Sequence, residues 1–298
     1  MTEREICGVL PVNKPAGMTS HDVVFKIRKL YGTKKVGHTG TLDPDATGLL
    51  IVLIGRAAKA AEYVTAGKKV YRAGLRLGLT TDTEDTTGKT LTTCDDIPAK
   101  AEVLEAVASF KGESLQVPPM YSALKVNGQK LCDLARKGIT VEREARPITV
   151  YSISAEGDGR DYTMEVACSA GTYIRTLCAD IGAKLGCGGA MSSLFRTETG
   201  GFEVSSAHTL EEIEALTQDG RDALLIPTEK LFSELPEVKL PAFYERLARN
   251  GAEIYQKKIG TCHPTGALLR VYGGTGFFGI GSVREYEGGS AIKIVKFL

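Results

Sequence analysis

Residues 49–54, LLIVLI, are the longest uninterrupted apolar run in the chain and constrain its fold more than any other segment. Six residues fall far short of the ~20 needed to cross a bilayer. Their branched, uninterrupted pattern predicts a strand buried on both faces, inside a sheet. The segment before it, residues 32–48, reads as a long loop punctuated by Gly32, Gly37, Gly40 and Gly48. Because that loop runs straight into a core strand, its end is anchored. Loops held on rigid elements in this way are where chemistry concentrates.

Around this anchor the chain reads as mixed elements. A strand is expected over 7–12, then a Pro-Ala-Gly turn. Thr19 and Ser20 are good N-cap residues for a helix with the apolar stripe Val23, Val24, Ile27, Leu30 and Tyr31. A helix over 56–66, a strand over 69–77 and the acidic loop TDTEDTTG (81–88) follow. Pro98 suits the first position of a helix ending near Phe110, with Gly112 as its stop. Residues 117–147 change character, with VPPMYSALKVNGQK, a short basic helix to Lys137, and then Arg143 and Arg146, and read as an excursion from the core. Strands over 151–155 and 162–168 are joined by GDGR, a hairpin signal, and lead into a helix over 172–185 that buries Ile174, Leu177, Ile181 and Leu185. Pro236 and Pro241 bracket a boundary, after which strands are expected over 268–272, 277–283 and 291–297. Helices interspersed with hairpins indicate an α+β fold: a mixed, largely antiparallel sheet flanked by helices in residues 1–236, and a small β-rich domain in 237–298.

Composition narrows the function classes. The 298 residues are 43% hydrophobic and 24% charged, an ordinary globular balance. Formal net charge is +1, yet residues 1–80 hold thirteen Lys/Arg against six Asp/Glu, a local +7, which leaves −6 for the rest. That asymmetry suits a polyanion-facing surface, or equally a solvated basic face. Glu3 and Glu5 stand where a signal peptide would be basic and then apolar, so a cytoplasmic protein without a membrane segment is expected. Seven cysteines without a CxxC pair suggest buried free thiols rather than a disulfide framework or a zinc site. Gly274, Gly276 and Gly279 have GxGxxG spacing, but too little chain remains for a dinucleotide-binding unit, and turn glycines are the better account. Ser122 and Lys125 form an isolated SxxK, and His21, His38, His208 and His263 lack metal-site spacing.

The chemically rich segment is KKVGHTGTLDPDATG, residues 34–48. Pro44 biases Asp43 toward extended backbone, which suits either a functional carboxylate or a local Asx turn. The residues alone leave both open.

GHTGTLDPDATG resembles the signature loop of the TruB-type tRNA pseudouridine-55 synthases. Three more stretches resemble that family's motifs in the same order: GVLPVNKPAGMTSHDVV (8–24), KKVYRAGLRLGLTTDTEDTTG (68–88) and CSAGTYIRTLCADIG (168–182). PPMYSALKVNGQKLCDLARKGI and REARPI are similar to the insertion with which the family grips the T arm of tRNA, and residues 237–298 are similar to its small, PUA-like RNA-binding domain. The resemblance implies a pseudouridine-synthase-type sheet and isomerisation of uridine to pseudouridine on a flipped-out base. It implies no cofactor, no metal, no obligatory protein partner, and a monomer acting on tRNA. Asp43 becomes the nucleophile, Arg175 the partner of Asp43, and Tyr71 the residue stacked on uracil and a candidate acceptor of the C5 proton, although a half-buried strand tyrosine would also account for it. An arginine in the first turn of a helix calls for a compensating anion, although a phosphate contact or plain solvation would also account for it. By the same resemblance His38 fills the vacated base stack and Tyr173 and Leu194 line the base pocket. Lys14, Lys34, Lys35, Lys68, Lys69, Lys125, Lys130 and Arg136 would meet phosphates. Two departures stand out: Asp45 adds a second carboxylate after Pro44, and Phe195 stands where many members carry a basic residue, so that one phosphate contact is either missing or supplied by Arg196. The competing readings are a glycosidase-like hydrolase using Asp43 and Asp45, and a catalytically silent RNA-binding protein.

Overall fold

A computed structural model describes residues 6–62, 67–126 and 128–298. β1 (Gly8–Lys14) leads through a turn into α1 (Ser20–Tyr31), the short β2 (Val36–Thr39) and β3 (Thr47–Ile54). All six residues of LLIVLI are fully buried. Alternation along β3 serves two cores. Leu50, Val52 and Ile54 pack with Leu10, Val12 and the α1 stripe, whereas Leu49, Ile51 and Leu53 pack with Val9 and Ala57 on the opposite face. The helix starts where its caps predict, with Thr19 and Asp22 forming a reciprocal capping box.

The remaining elements of the first part are β4 (Lys69–Leu77), β5 (Leu79–Thr81), β6 (Thr90–Thr93), α2 (Lys100–Ala108), β7 (Gly112–Gln116), β8 (Lys125–Val126), β9 (Gln129–Lys130), α3 (Leu131–Ala135), β10 (Arg146–Asp158), β11 (Asp161–Cys168), α4 (Ile174–Leu185), β12 (Gly189–Thr199) and β13 (Phe202–Glu203). The main sheet runs β1-β3-β12-β4-β11-β10-β7, with β2 added to β3 and β13 to β12. Its pairs are antiparallel except β3 with β12, which meet in parallel at Thr47–Phe195 and Gly48–Arg196. β12 is the seam of the sheet, since it joins β3 on one edge to β4 on the other. The architecture is therefore α+β with a mixed, largely antiparallel sheet.

Several expectations need correction. The loop over 32–48 contains β2, which pairs with the far half of β3 from Val36–Ile54 to Thr39–Ile51. β12 has no counterpart in the sequence reading, because two register shifts and the exposed Ser192 and Ser193 break its alternation. The helix expected over 56–66 opens as a 3-10 helix, Gly55–Ala60, with Ala61 and Glu62 α-helical after it; residues 63–66 lie outside the described residues. Of the cysteines, Cys168, Cys178 and Cys187 are buried, but Cys7, Cys94 and Cys132 are half-buried and Cys262 is exposed.

After α5 (Leu210–Ala215) and α6 (Gln218–Ala223), a second sheet runs β14-β16-β17-β18-β15. Its strands are β14 (Glu237–Lys239), β15 (Ile254–Tyr255), β16 (Leu268–Gly273), β17 (Gly276–Tyr286) and β18 (Gly289–Phe297), and α7 (Ala242–Arg249) packs on it. Val238, Ile254, Val271, Phe278 and Ile292 form its own core, and Ile280 and Leu298 join it to Ala60 and Phe232 of the first part. The GxGxxG glycines serve this sheet: a Cβ on Gly279 would lie 2.2 Å from the Lys296 carbonyl of the neighbouring strand. Among the described residues no helix is long and apolar enough to cross a membrane.

The β3–β12 seam yields a stability prediction. Gly48 has φ +97°, and a Cβ there would sit 2.4 Å from the Arg196 carbonyl oxygen. Gly17 has φ +78° with open space around it. Gly48→Ala should cost about 2–4 kcal/mol in denaturant melts and Gly17→Ala about 1–2 kcal/mol. Equal losses would mean that the seam does not constrain position 48.

Candidate active site

The loop that carries Asp43 is fixed from below by apolar burial and from the side by α1. Leu42 and Ala46 are buried among Tyr71, Ala73 and Ile174. The buried Ser20 hydroxyl, in the first turn of α1, accepts the Leu42 N–H at 2.8 Å and donates to the Leu42 carbonyl at 3.0 Å. The Pro44 carbonyl accepts from the Gly17 N–H at 3.0 Å and from Lys14 Nζ at 2.9 Å. Lys14 Nζ also donates to the carbonyls of Pro15 and Met18. This overturns the phosphate role expected of Lys14. The side chain is wholly buried and its three donors all go to backbone carbonyls, so it clamps the turn after β1 onto the Asp43 loop. Burial pulls its pKa down, against the attraction of Asp45 and Asp43.

Arg175 meets Asp43 from the first turn of α4. Its Nε lies 3.0 Å from Asp43 Oδ2 and its Nη2 lies 3.4 Å from Oδ1, the bidentate geometry of an arginine–carboxylate pair. Its remaining donors hold two other segments: Nη2 donates to the Tyr121 carbonyl at 2.7 Å and Nη1 to the Thr83 carbonyl at 3.1 Å. The start of α4 is clamped in turn by the Gln116 side chain, which accepts the Tyr173 N–H at 2.8 Å and donates to the Tyr173 carbonyl at 3.0 Å. Next to Arg175, Thr176 donates to Glu84 at 2.5 Å. Side-chain exposure differs sharply across the ion pair, 6% for Arg175 against 44% for Asp43. The guanidinium thus seals the back of the site while the carboxylate faces open space. Burial raises the Asp43 pKa, and Arg175 opposes that shift without cancelling it.

The open space is a cleft of about 400 Å³, within the usual range for small-molecule sites. β4 contributes Lys69 and Tyr71, β12 contributes Leu194 and Arg196, α4 and its cap contribute Tyr173 and Arg175, and Ser122 to Leu124 close it from the excursion. Asp43, Tyr71, Arg175, Tyr173, Leu194 and Lys69 are therefore brought together. Tyr71 is buried, which pushes its phenol pKa up although the guanidinium of Arg196 beside it pulls the other way. His38 sits outside the lining, on β2, and burial lowers its pKa. Asp45 is exposed and also outside the lining. Lys34, Lys35, Lys68, Lys125, Lys130 and Arg136 are exposed, with Lys68 paired to Glu198 and Arg136 to Asp133, each at 3.5 Å. Arg196 does not replace the basic residue missing at Phe195. It is wholly buried, with Nε donating to the Leu49 carbonyl at 2.7 Å and Nη2 to the Gly40 carbonyl at 3.0 Å.

Sequence reasoning missed Ser20, Gln116, Thr83, Glu84 and Tyr121 as supports of the site. Thr83 and Tyr121 act through backbone carbonyls, which carry no side-chain signal.

A family model described as TruB family pseudouridylate synthase (N terminal domain) matches residues 28–174, and one described as tRNA pseudouridylate synthase B C-terminal domain matches residues 175–233. The chain belongs to the TruB family of pseudouridylate synthases. It is 45% identical over 295 residues to tRNA pseudouridine synthase B of Alkaliphilus oremlandii, covering 98% of each chain. It is 46% identical over 255 residues to the protein of the same name from Bacillus subtilis, covering 82% of each. Among solved structures, this TruB-family chain superposes on a chain of a Cbf5-Nop10-Gar1 complex with a TM-score of 0.76 and 27% identity, over 98% of this chain and 85% of that one.

The raised pKa of Asp43 sets the sign of its contribution to stability. A carboxyl that holds its proton more tightly when folded destabilises the fold at high pH, and the penalty vanishes as pH falls from the folded pKa through the unfolded value. Relative to Asp43→Asn, the wild type should therefore gain Tm as pH is lowered through the range above the ordinary aspartate value. A wild-type advantage that grows with rising pH would show that the Arg175 attraction outweighs burial.

Proposed function

We propose that this chain isomerises uridine to pseudouridine at position 55, in the T loop of tRNA, with Asp43 as nucleophile, a flipped-out base and no cofactor. The observation that carries this reading is the Asp43 carboxylate, held by Arg175 and facing a cleft with the buried Tyr71 in its lining. The names of the relatives supply the substrate class, tRNA. A second structural neighbour, at TM-score 0.73 and 25% identity over 97% of this chain and 84% of that one, is an H/ACA RNP bound to a substrate RNA containing 2'-deoxyuridine.

In this reaction the N1–C1′ bond breaks, a C5–C1′ bond forms, C5 loses a proton and N1 gains one. Nothing enters or leaves overall, so no redox or group-transfer cofactor is required. Asp43 acts ionised, on the ribose or on the base ring; Arg175 favours the ion while burial strips water from it and leaves the oxygens available. Tyr71 serves as a stacking surface. Burial raises its phenol pKa against the pull of Arg196, which makes it a poor base for the C5 proton and favours the stacking role. Uridine stacked in a folded loop is out of reach, so the base is extruded at a cost of a few kcal/mol. His38 fills the vacated stack, Tyr173 and Leu194 flank the base, and the exposed lysines together with residues 237–298 hold the RNA backbone through contacts that weaken with salt.

The test is tritium release from a tRNA transcript labelled at uridine C5. Asp43→Asn should lose at least about 10³-fold in rate, with transcript affinity within a few-fold, while Asp45→Asn should stay within about 3-fold of wild type. Equal losses would remove Asp43 as the nucleophile. Because Asp43 acts as the anion and its pKa is raised, the single-turnover rate should fall with acidification at a pH above the ordinary aspartate value. A rate independent of pH across that range would contradict the assignment.

A further inference from the structure

The arginine that partners Asp43 sits in a helix that supplies it with no anion of its own. The cap of α4, Tyr173, makes no side-chain hydrogen bond, and the first turn contains no acid. Arg175 there places a cation at the positive end of the helix dipole. The compensating anions come from other segments. Asp43 is one, and Glu84, from the acidic loop, is the other: Arg175 and Arg143 both favour its ionised form, against the effect of burial.

Glu84 is held at this place by its surroundings. Among the described residues it is the one non-glycine with a left-handed backbone, φ +64°, a conformation that an L side chain keeps only where its neighbours impose it. The Met191 N–H donates to its carbonyl at 3.0 Å, which laces the turn to β12. Its side chain lies against α4, where Oε2 accepts from the hydroxyl of Thr176, the residue after Arg175, at 2.5 Å. The charged groups around it are Arg175 and Asp180 on α4, Arg143 of the excursion and its neighbour Asp85. Asp180 registers the charge, since burial and Glu84 together push its pKa up to about 6. Asp85 instead turns Oδ1 onto its own loop, accepting from the Thr83 and Thr87 hydroxyls and the Thr87 N–H.

The reaction calls for a second anion. When Asp43 acts as nucleophile, one carboxylate oxygen forms a C–O bond, either to ribose C1′ as N1–C1′ breaks or to the base ring as a ring double bond opens. In both cases the displaced electron pair passes to the uracil, and Asp43 becomes a neutral ester until that C–O bond breaks again. The uracil carries the charge away as it turns to rejoin through C5. Over that interval Arg175, whose side chain is 6% exposed, has lost its ion-pair partner, and a buried cation without an anion is costly. We propose that Glu84 is a positioning residue that supplies the countercharge of Arg175 while Asp43 is covalently engaged, and so keeps the guanidinium in place to receive the carboxylate when it is released. This rests on the uridine-to-pseudouridine reading above.

The experiment follows tritium release from the C5-labelled transcript in a single turnover, with transcript affinity and Tm measured for each variant. Glu84→Gln keeps the shape and an oxygen for Thr176 but removes the charge, and should slow the reaction about 10-fold with affinity within about 3-fold of wild type. Glu84→Asp keeps the charge and suits the left-handed backbone but is too short to hold Thr176 in the same way; its rate should stay within about 3-fold of wild type. Glu84→Gly, the residue best suited to this backbone, should be slowed as much as Glu84→Gln and carries the test if the Tm of the glutamine variant shows an unfolded protein. A role confined to anchoring the loop predicts the reverse order, with Glu84→Gln near wild type and Glu84→Asp slow, and that order would overturn the proposal. Equal slowing by Glu84→Gln and Glu84→Asp, or wild-type rates in all three variants, would also overturn it. A wild type that releases no tritium would defeat the reaction itself, an outcome distinct from these.

Discussion

The ion pair between Asp43 and Arg175 is the contact on which the site depends, because it joins residues far apart in sequence and ties four segments at one guanidinium. Arg175 belongs to α4, Asp43 to the loop before β3, Thr83 to the acidic loop and Tyr121 to the excursion. A buried arginine must satisfy its donors, so displacing any one segment leaves a costly group unpaired. The cleft is thus a property of the assembled fold, and the excursion forms part of its wall.

Support for this pair extends outward in steps. Gln116, at the edge of the sheet, fixes the backbone of Tyr173 and hence the direction of α4. Ser20 and Lys14 fix the loop on the other side, converting a glycine-rich stretch into a rigid mount for one carboxylate. The price of this rigidity is a carboxyl whose pKa is raised even beside a cation, a tension expected at a reactive group.

Much of this was legible in the sequence, and the parts that were not share physical causes. LLIVLI announced a doubly buried strand, and the N-cap residues Thr19 and Ser20 announced the start of α1. β12 was illegible because bulges and two exposed serines destroy its period, although it is the strand that holds the two halves of the sheet together. β2 was hidden because four residues among glycines carry too little pattern to register. In the site, the residues that converge were readable from motif resemblance, whereas the roles of basic residues were not. Lys14 and Arg196 have the charge of phosphate contacts but are enclosed, and only packing distinguishes a scaffold cation from a surface one. The excess of basic residues in the first eighty positions accordingly overstates the positive charge of the surface.

The account stands or falls on where the target base lies when RNA is bound. The most direct measurement is a crystal structure of the Asp43→Asn protein with a T-arm stem-loop containing uridine at the target position. The uracil should lie in the cleft, stacked on Tyr71, with the target nucleotide in contact with position 43. A uracil still stacked within the RNA loop, or bound away from the cleft, would contradict the account.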